Sequence, residues 1–347
     1  MEMVKDQTDS AGTGSANKKG KSLPPKLMIR LVKFVWTTLW SVMMSRLAPR
    51  NKLGEYVRPN SQFRNFVGIE EGNPYQPAAG RYSLYVGLGC PWAHRTLVVR
   101  ALKGLEDTIS VSLASPSSSE GIWILDQTQE DCRTLPDLYE LAEPGYSGRC
   151  TVPVLWDKQT KKIVNNESAE IIVMLNSFNF AHPTLDLYPE ELRENIDVWN
   201  EKIYHSVNNG VYRCGFAQTQ EAYDAACNEL FAALDEIDAV LKTNRYLCGD
   251  SVTLADVRLF TTLFRFDAVY YGLFKCNRCR IQDYKNLGAY LRDLYQLPGV
   301  SSTCSLENVK KDYYGNLFPL NPGGIIPCGP DLTNLVEPHG RESLSAI

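Results

Sequence analysis

Cys90 is the residue whose surroundings most suggest chemistry. It lies in Arg81-Tyr-Ser-Leu-Tyr-Val-Gly-Leu-Gly-Cys90-Pro-Trp-Ala-His-Arg95-Thr-Leu-Val-Val-Arg100. Tyr82, Leu84 and Val86 alternate with smaller or wetter positions, which predicts a strand. Gly87 and Gly89 break it, and Pro91 suits the first turn of a helix, where its missing N–H costs nothing. Cys90 is thus expected where unpaired backbone N–H groups and the positive end of a helix dipole favour thiolate over thiol. Arg95, Arg100 and Lys103 follow within three turns. The competing reading is an ordinary buried cysteine at a helix start.

Other thiols carry weaker signals. The ten cysteines are scattered without framework spacing, which suits reduced, intracellular thiols. Cys276-Asn-Arg-Cys279 is the one CxxC; without a second pair or a nearby His it reads as structural thiols rather than zinc ligands, and no metal is expected.

The elements that must position Cys90 form a compact α/β order. Thr108–Ala114 alternates as a second strand, and a Ser/Pro/Gly-containing insertion with Trp123 follows. Residues 133–145 have the apolar face of a helix. Cys150-Thr-Val-Pro153-Val-Leu-Trp-Asp157 reads as a strand entered through a Val-Pro bond, Lys161–Val164 as a short strand and Glu167–Leu175 as a helix. The order β-α-β-α-β-β-α is that of a thioredoxin-like fold. In such folds a cis-proline at the position of Pro153 faces the reactive cysteine; the alternative is a trans proline starting an edge strand.

After Pro189 the strand signal ends. Tyr223–Leu241 carries a 3.6-period apolar face, Thr253-Leu-Ala-Asp256 is a capping box with Val252 and Val257 as its staple, and Leu287–Tyr295 is a further helix. The domains expected are a basic N-terminal segment (1–54), a thioredoxin-like domain with an irregular lead-in (55–185), an all-helical domain (186–306) and an irregular tail (307–347).

Charge is unevenly spread. Residues 1–54 hold ten Lys/Arg against Glu2, Asp6 and Asp9, so their net +7 within a total of −4 leaves −11 on the remainder. An acidic body argues against nucleic acid as the main partner. Residues 1–25 are polar and expected to be disordered. In 26–48, Lys26, Arg30, Lys33, Thr37 and Ser41 recur every three or four residues among apolar ones, and the uncharged run Phe34–Ser45 is too short to span a bilayer of ~20-residue helices. This predicts an amphipathic helix on a membrane surface, or a plastid or mitochondrial targeting segment, or a helix docked on the protein's own body. The compartment expected is intracellular, cytoplasm or plastid.

A thioredoxin-like module followed by helices resembles the glutathione transferase superfamily. The strings Gly80-Arg-Tyr, Cys90-Pro-Trp-Ala-His-Arg95, Thr151-Val-Pro-Val-Leu-Trp-Asp157, Asn165-Asn-Glu-Ser-Ala-Glu-Ile-Ile172, Asn208-Asn-Gly-Val-Tyr212 and Phe274-Lys-Cys-Asn277 resemble its Xi-class branch, the glutathionyl-hydroquinone reductases related to omega-class transferases. The resemblance covers roughly residues 56–330. It implies glutathione as co-substrate, held by Trp123, Arg149, Cys150, Thr151, Val152, Pro153, Glu167 and Ser168. Glu167 would pair with the γ-glutamyl ammonium, Ser168 and a helix N-terminus with the carboxylate, and the Val152 backbone with the cysteinyl amide. It further implies a homodimer, Cys90 as the catalytic thiol, and Tyr212, Tyr270 and Tyr313 as a hydroxyl cluster that protonates a leaving hydroquinone. The same tyrosines could pack an interface, and Tyr271 and Tyr314 are register alternatives. Leu273 and Asn316 stand where the family commonly has His. Ala93, three residues after Cys90, leaves glutathione as the resolving thiol. Two other functions remain open at this point: an omega-like thioltransferase or dehydroascorbate reductase, and a non-catalytic glutathione-fold protein that binds aromatic ligands.

Overall fold

The computed structural model describes residues 24–117, 120–127, 130–182 and 184–345. The expected disorder of 1–25 therefore falls almost wholly outside the described residues. The chain forms two units, residues 1–46 and 47–347. The described residues of the first, apart from Pro24, belong to helix α1 (Pro25–Leu47).

The second unit begins with an extended lead-in that is more ordered than its prolines suggest. Asn65 N donates to Val164 O at 3.0 Å and Asn166 N to Phe63 O at 3.1 Å, so this segment pairs with the edge of the sheet. Then come β1 (Tyr82–Val86), α2 (Pro91–Leu102), β2 (Ser110–Pro116), β3 (Trp123–Leu125), α3 (Leu135–Ala142), β4 (Val154–Asp157), β5 (Lys162–Asn165) and α4 (Ser168–Asn176). The five strands run in the order β3-β2-β1-β4-β5. β1 and β2 are parallel, joined through α2, and the remaining pairs are antiparallel.

Two expectations change here. The insertion carrying Trp123 is partly a strand, β3, pairing Trp123 with Pro116, so the sheet has a fifth strand. And β1 does not alternate: all five of its residues are buried. It is the central strand, so Ser83 and Tyr85 are covered as well as Tyr82, Leu84 and Val86. Arg81 at its start makes a two-pronged ion pair with buried Asp157 at the end of β4, Nε to Oδ1 at 2.9 Å and Nη2 to Oδ2 at 2.6 Å.

The helical half comprises α5 (Arg193–Ile203), α6 (Gly210–Gly215), α7 (Gln220–Val240), α8 (Leu254–Arg265), α9 (Lys285–Gln296) and α10 (Leu306–Asn316). Asp256 does close back on Thr253 N, at 2.8 Å, and also accepts from Leu247 N and Tyr290 Oη, making it a buried anchor as well as a cap. The beginning of the expected irregular tail is helical: Ser305 caps α10 by accepting from Asn308 N. Lys310, Lys311 and Asp312 interrupt the apolar pattern, which hides this helix from periodicity. Two π-helical turns, Tyr204–Asn208 and Phe266–Tyr270, precede α6 and follow α8. Such turns re-aim side chains at functional sites. α2 packs on α4 and on α8, so the start of α2 lies at the seam between the halves.

Candidate active site

Cys90 is the N-cap of α2, extended at φ −74° and ψ 119°, with Pro91 opening the helix. Its Sγ lies 3.7 Å from the carbonyl oxygen of Val152, and the Val152–Pro153 bond is cis. Neither preceding glycine has a positive φ; each is required by a close approach. A Cβ on Gly87 would lie 2.7 Å from Trp123 Cη2, and one on Gly89 2.7 Å from Asp312 Cγ. The sequence shows these glycines as punctuation, whereas the structure makes them spacers for a tryptophan and a carboxylate.

The balance on the thiol differs from the expectation. Burial pushes Cys90 up, while the N–H groups of Ala93 and Trp92 and the charges of Arg265 and Arg58 pull it down. The three cations that follow it in sequence point elsewhere. Arg100 donates to the carbonyls of Ile109 and Glu106, Lys103 to Asn179 and His182, and Arg95 to Ser168. The cations that act on Cys90 come from the lead-in and from α8.

Arg265, at the end of α8, is buried and donates to the two carbonyls just before Cys90: Nε to Gly89 O at 2.9 Å and Nη2 to Leu88 O at 3.0 Å. Its Nη1 meets His94 Nδ1 at 2.9 Å. A guanidinium has no lone pair to offer, so Nδ1 is the acceptor and Nε2 carries the proton towards Thr303 Oγ1, 2.9 Å away. Burial and the Arg265 charge hold His94 well below its usual pKa, so it is neutral. Asp312 on α10 completes the clamp by accepting Gly89 N–H at 3.1 Å. Burial raises this carboxyl to about 6, against the pull of the Gly89 N–H and of Lys311 and Arg265.

A second cluster surrounds the start of α4. Glu167 is the N-cap, accepting from Ala169 N at 3.1 Å and from Ser61 Oγ at 2.9 Å. Ser168, buried in the first turn, accepts from Arg95 Nη1 at 3.3 Å, and Arg95 also binds Asn208 Oδ1. Arg258 donates to Ala169 O at 3.3 Å. The buried Nε atoms of Arg95 and Arg258 find no partner among the described residues. Burial pulls Arg95 down to about 9 and lowers Arg258, yet both remain charged at neutral pH. Two under-satisfied guanidiniums, a serine hydroxyl and a helix N-terminus make a fitting receptor for a carboxylate, and Glu167 supplies an anion for an ammonium. These are the two charges of a γ-glutamyl group.

The remaining expected glutathione contacts are spread out. Trp123 stands over Gly87, beside the thiol loop. Thr151 has its backbone engaged by Tyr139: its O accepts from Tyr139 Oη at 2.8 Å and its N donates to that oxygen at 3.2 Å. Arg149 is exposed, and its carbonyl accepts from Tyr146 Oη at 3.1 Å. Cys150 is partly exposed, its thiol pushed up by burial.

The tyrosines do converge. Tyr313 Oη lies 2.6 Å from Tyr212 Oη and 2.9 Å from Tyr270 Oη. This resolves the register, because Tyr314 instead donates to Ala268 O and Tyr271 is partly exposed. Tyr212 stacks on Trp92, centroids 6.2 Å apart, and Arg58 and Arg95 sit 3.9 and 4.5 Å from the same indole centroid. Burial holds the three phenols above their usual pKa, to about 12 for Tyr270, and a charge on Cys90 pushes Tyr212 and Tyr270 further up. All three therefore carry protons at neutral pH. Leu273 is buried and Asn316 donates to Asp312 O, so these departures lie outside the hydroxyl cluster.

Family models for the glutathione S-transferase N-terminal and C-terminal domains match residues 89–177 and 220–293. The chain is 44% identical over 335 residues to the glutathionyl-hydroquinone reductase YqjG of Escherichia coli, covering 91% of this chain and 99% of that protein. It is 44% identical to the reductase PcpF of Sphingobium chlorophenolicum, over 86% and 96% of the two chains. The chain belongs to the glutathionyl-hydroquinone reductases. Among solved structures, the Xi-class transferase of Natrialba magadii superposes with a TM-score of 0.77 at 48% identity, over 81% of this chain and 89% of that one. The glutathione-bound structure of YqjG gives 0.76 at 46%, over 81% and 96%. Of the residues expected from the sequence, the structure puts Cys90 beside Val152 and the cis Pro153, Glu167 and Ser168 at the start of α4, and the three tyrosines in one hydroxyl cluster. Sequence reasoning missed Arg58, Ser61, Arg258, Arg265 and Asp312. Asn208 and Phe274 stood inside the matching strings without a role; Asn208 now holds Arg95, and Phe274 stacks on Tyr270 at 5.3 Å.

Proposed function

We propose that this chain reduces glutathionyl-hydroquinones to hydroquinones with glutathione, through Cys90. The observation that carries the reading is a single-thiol site whose neighbours are a γ-glutamyl receptor on one side and a protonated chain of three phenols on the other.

Cys90 as thiolate attacks the sulfur of the glutathionyl-hydroquinone. The sulfur–aryl bond breaks, its electron pair goes to the ring carbon, and that carbon takes a proton from Tyr212. Tyr313 and Tyr270, hydrogen bonded in series, stabilise and reprotonate the phenolate. Cys90 is left disulfide-bonded to glutathione. A second glutathione thiolate attacks the glutathionyl sulfur, releasing oxidised glutathione and regenerating Cys90. The hydroquinone ring gains one hydrogen and the incoming glutathione loses its one thiol hydrogen, so atoms and electrons balance. Among the described residues no cluster of His, Cys, Asp and Glu is suited to a metal ion, and no step above calls for one.

Arg95, Arg258 and Ser168 bind the γ-glutamyl carboxylate and Glu167 its ammonium. Trp123, Val152 and Pro153 line the cysteinyl part, and Arg149, Cys150 and Thr151 its outer side. The enzyme works as a homodimer inside the cell, in cytoplasm or plastid, with its basic N-terminal segment at a membrane. Gel filtration with light scattering checks the dimer. The decisive assay is Cys90→Ser with glutathionyl-menadiol: turnover should fall on the order of 10³-fold or more. Equal rates for the two proteins would leave a ligand-binding module instead of an enzyme.

A further inference from the structure

Helix α1 keeps its apolar surface in water. Every residue from Pro24 to Leu39 is exposed, with Ile29, Val32, Phe34 and Trp36 at 60, 62, 68 and 51%. Exposed apolar patches of this kind mark interaction sites. The catalytic site makes no use of it.

The polar positions define what covers the helix. Lys26, Arg30, Lys33, Thr37 and Ser41 fall within a sector of roughly 80° at 100° per residue, and the rest of the circumference is almost wholly apolar. Trp36 and Trp40 flank the stripe on one side, where indoles favour a water–lipid boundary. No acidic residue occurs between Ala11 and Gly54, and Lys18, Lys19, Lys21, Arg46, Arg50 and Lys52 add to the positive charge. A protein groove for such a helix would have to be acidic as well as apolar; an anionic lipid leaflet offers both along its whole surface.

Length separates lying on the bilayer from crossing it. The 23-residue helix is long and apolar enough by composition to cross a membrane. At 1.5 Å per residue, however, its uncharged run Phe34–Ser45 covers about 18 Å of a core about 30 Å thick. Crossing would draw Arg30 and Lys33 into hydrocarbon, whereas lying flat leaves them among headgroups.

We propose that α1 docks this protein on anionic lipid, lying in the plane of the leaflet with the Lys26–Arg30–Lys33 stripe at the headgroups. The proposal is independent of the reductase reading. Its test is flotation of the full-length protein with vesicles of phosphatidylcholine alone or mixed with phosphatidylserine. Binding is expected to the mixed vesicles, to weaken with salt, and to be stripped by alkaline carbonate. Lys26→Gln, Arg30→Gln and Lys33→Gln together should weaken it roughly 10²-fold, near fivefold per cation. Ile29→Glu, Val32→Glu and Trp36→Glu together should abolish it. Transfer of glutathione from a simple mixed disulfide, measured in parallel, should stay unchanged and so report an intact body. Equal binding to both vesicle types would overturn the charge argument, and carbonate resistance the in-plane geometry. Failure to float, with self-association lost in the triple Glu variant, would assign the helix to a second copy of the chain and overturn the proposal.

Discussion

The two halves of the active site are built at different ranges. In the thioredoxin-like half the chemistry is local: Cys90 beside Pro91, Val152 beside Pro153, Glu167 beside Ser168. In the helical half it arrives from far away in the chain. Arg265 reaches carbonyls 176 and 177 positions earlier, and Asp312 an amide 223 positions earlier. On the proposed reading the local half supplies most of the ligand contacts, with Arg258 from α8 as the long-range exception. The distant half governs how reactive the thiol is and what happens to the leaving group. Burial by itself makes Cys90 a poorer thiolate, and only part of the counterweight comes from its own helix.

The largest test of that division concerns the leaving group. Tyr212→Phe should slow glutathionyl-menadiol reduction by roughly 10²- to 10³-fold, the worth of a positioned acid. It should leave transfer from a simple glutathione mixed disulfide within about twofold, because a thiolate leaving group needs no proton from a general acid. Equal losses on both substrates would mean that the tyrosine holds Trp92 and the thiol loop, and the proposed division would fail.

Arg265→Lys comes next. An ammonium cannot serve both Leu88 and Gly89 carbonyls in the forked geometry of a guanidinium. Losing one charge-assisted hydrogen bond, worth about 1.5–3 kcal/mol, should cut both activities roughly 10- to 10²-fold. It should also shift the pH profile of Cys90 alkylation by iodoacetamide to higher pH. A merely structural role would lower activity without moving that profile.

These contrasts also explain what was legible in the residues. The thioredoxin-like order could be read because each element has its own period and its own turn residues. The exception was β3, too short to show any; β1 was read as a strand, but its alternation gave no sign that both of its faces are buried. Cys90 and Pro153 were visible because proline constrains the backbone locally. Arg265 was not, since an arginine ending an amphipathic helix looks like a favourable partner for the helix dipole. Asp312 was hidden between two lysines and Tyr313 on a helix without a clear apolar face. Arg95 was read as a cation for the thiol; only its contacts with Ser168 and Asn208 assign it to the carboxylate receptor.

Asp312 gives a smaller effect with a distinctive shape. Its folded pKa of about 6 lies above the ordinary carboxylate value, because burial penalises the anion. The folded state therefore binds the extra proton between about pH 4 and 6, and this group's contribution to stability falls as pH rises through that window. Reactivity runs the other way, because the ionised carboxylate is the better acceptor for Gly89 N–H. The pH profile of kcat/KM should show an acid limb near pH 6, with a loss of about three- to tenfold below it. Asp312→Asn should flatten that limb and leave the alkaline rise from Cys90. An unchanged limb in the variant would place the titration elsewhere.

The smallest effect probes the local half for a long-range dependence of its own. Glu167 looks self-sufficient as an N-cap, held by Ala169 N, yet its second oxygen is fixed by Ser61, 106 positions earlier in the lead-in. If Ser61 orients the carboxylate towards the glutathione ammonium, Ser61→Ala should raise KM for glutathione about two- to fivefold, the worth of one ordinary hydrogen bond, with kcat unchanged. The lead-in would then count as a third contributor, reaching the ligand site as Arg58 reaches Trp92. An unchanged KM would mean that the cap alone orients Glu167 and that the lead-in plays no part in recognising the ligand. A fall in kcat at constant KM would tie the lead-in to the thiol through Arg58 rather than to the γ-glutamyl group.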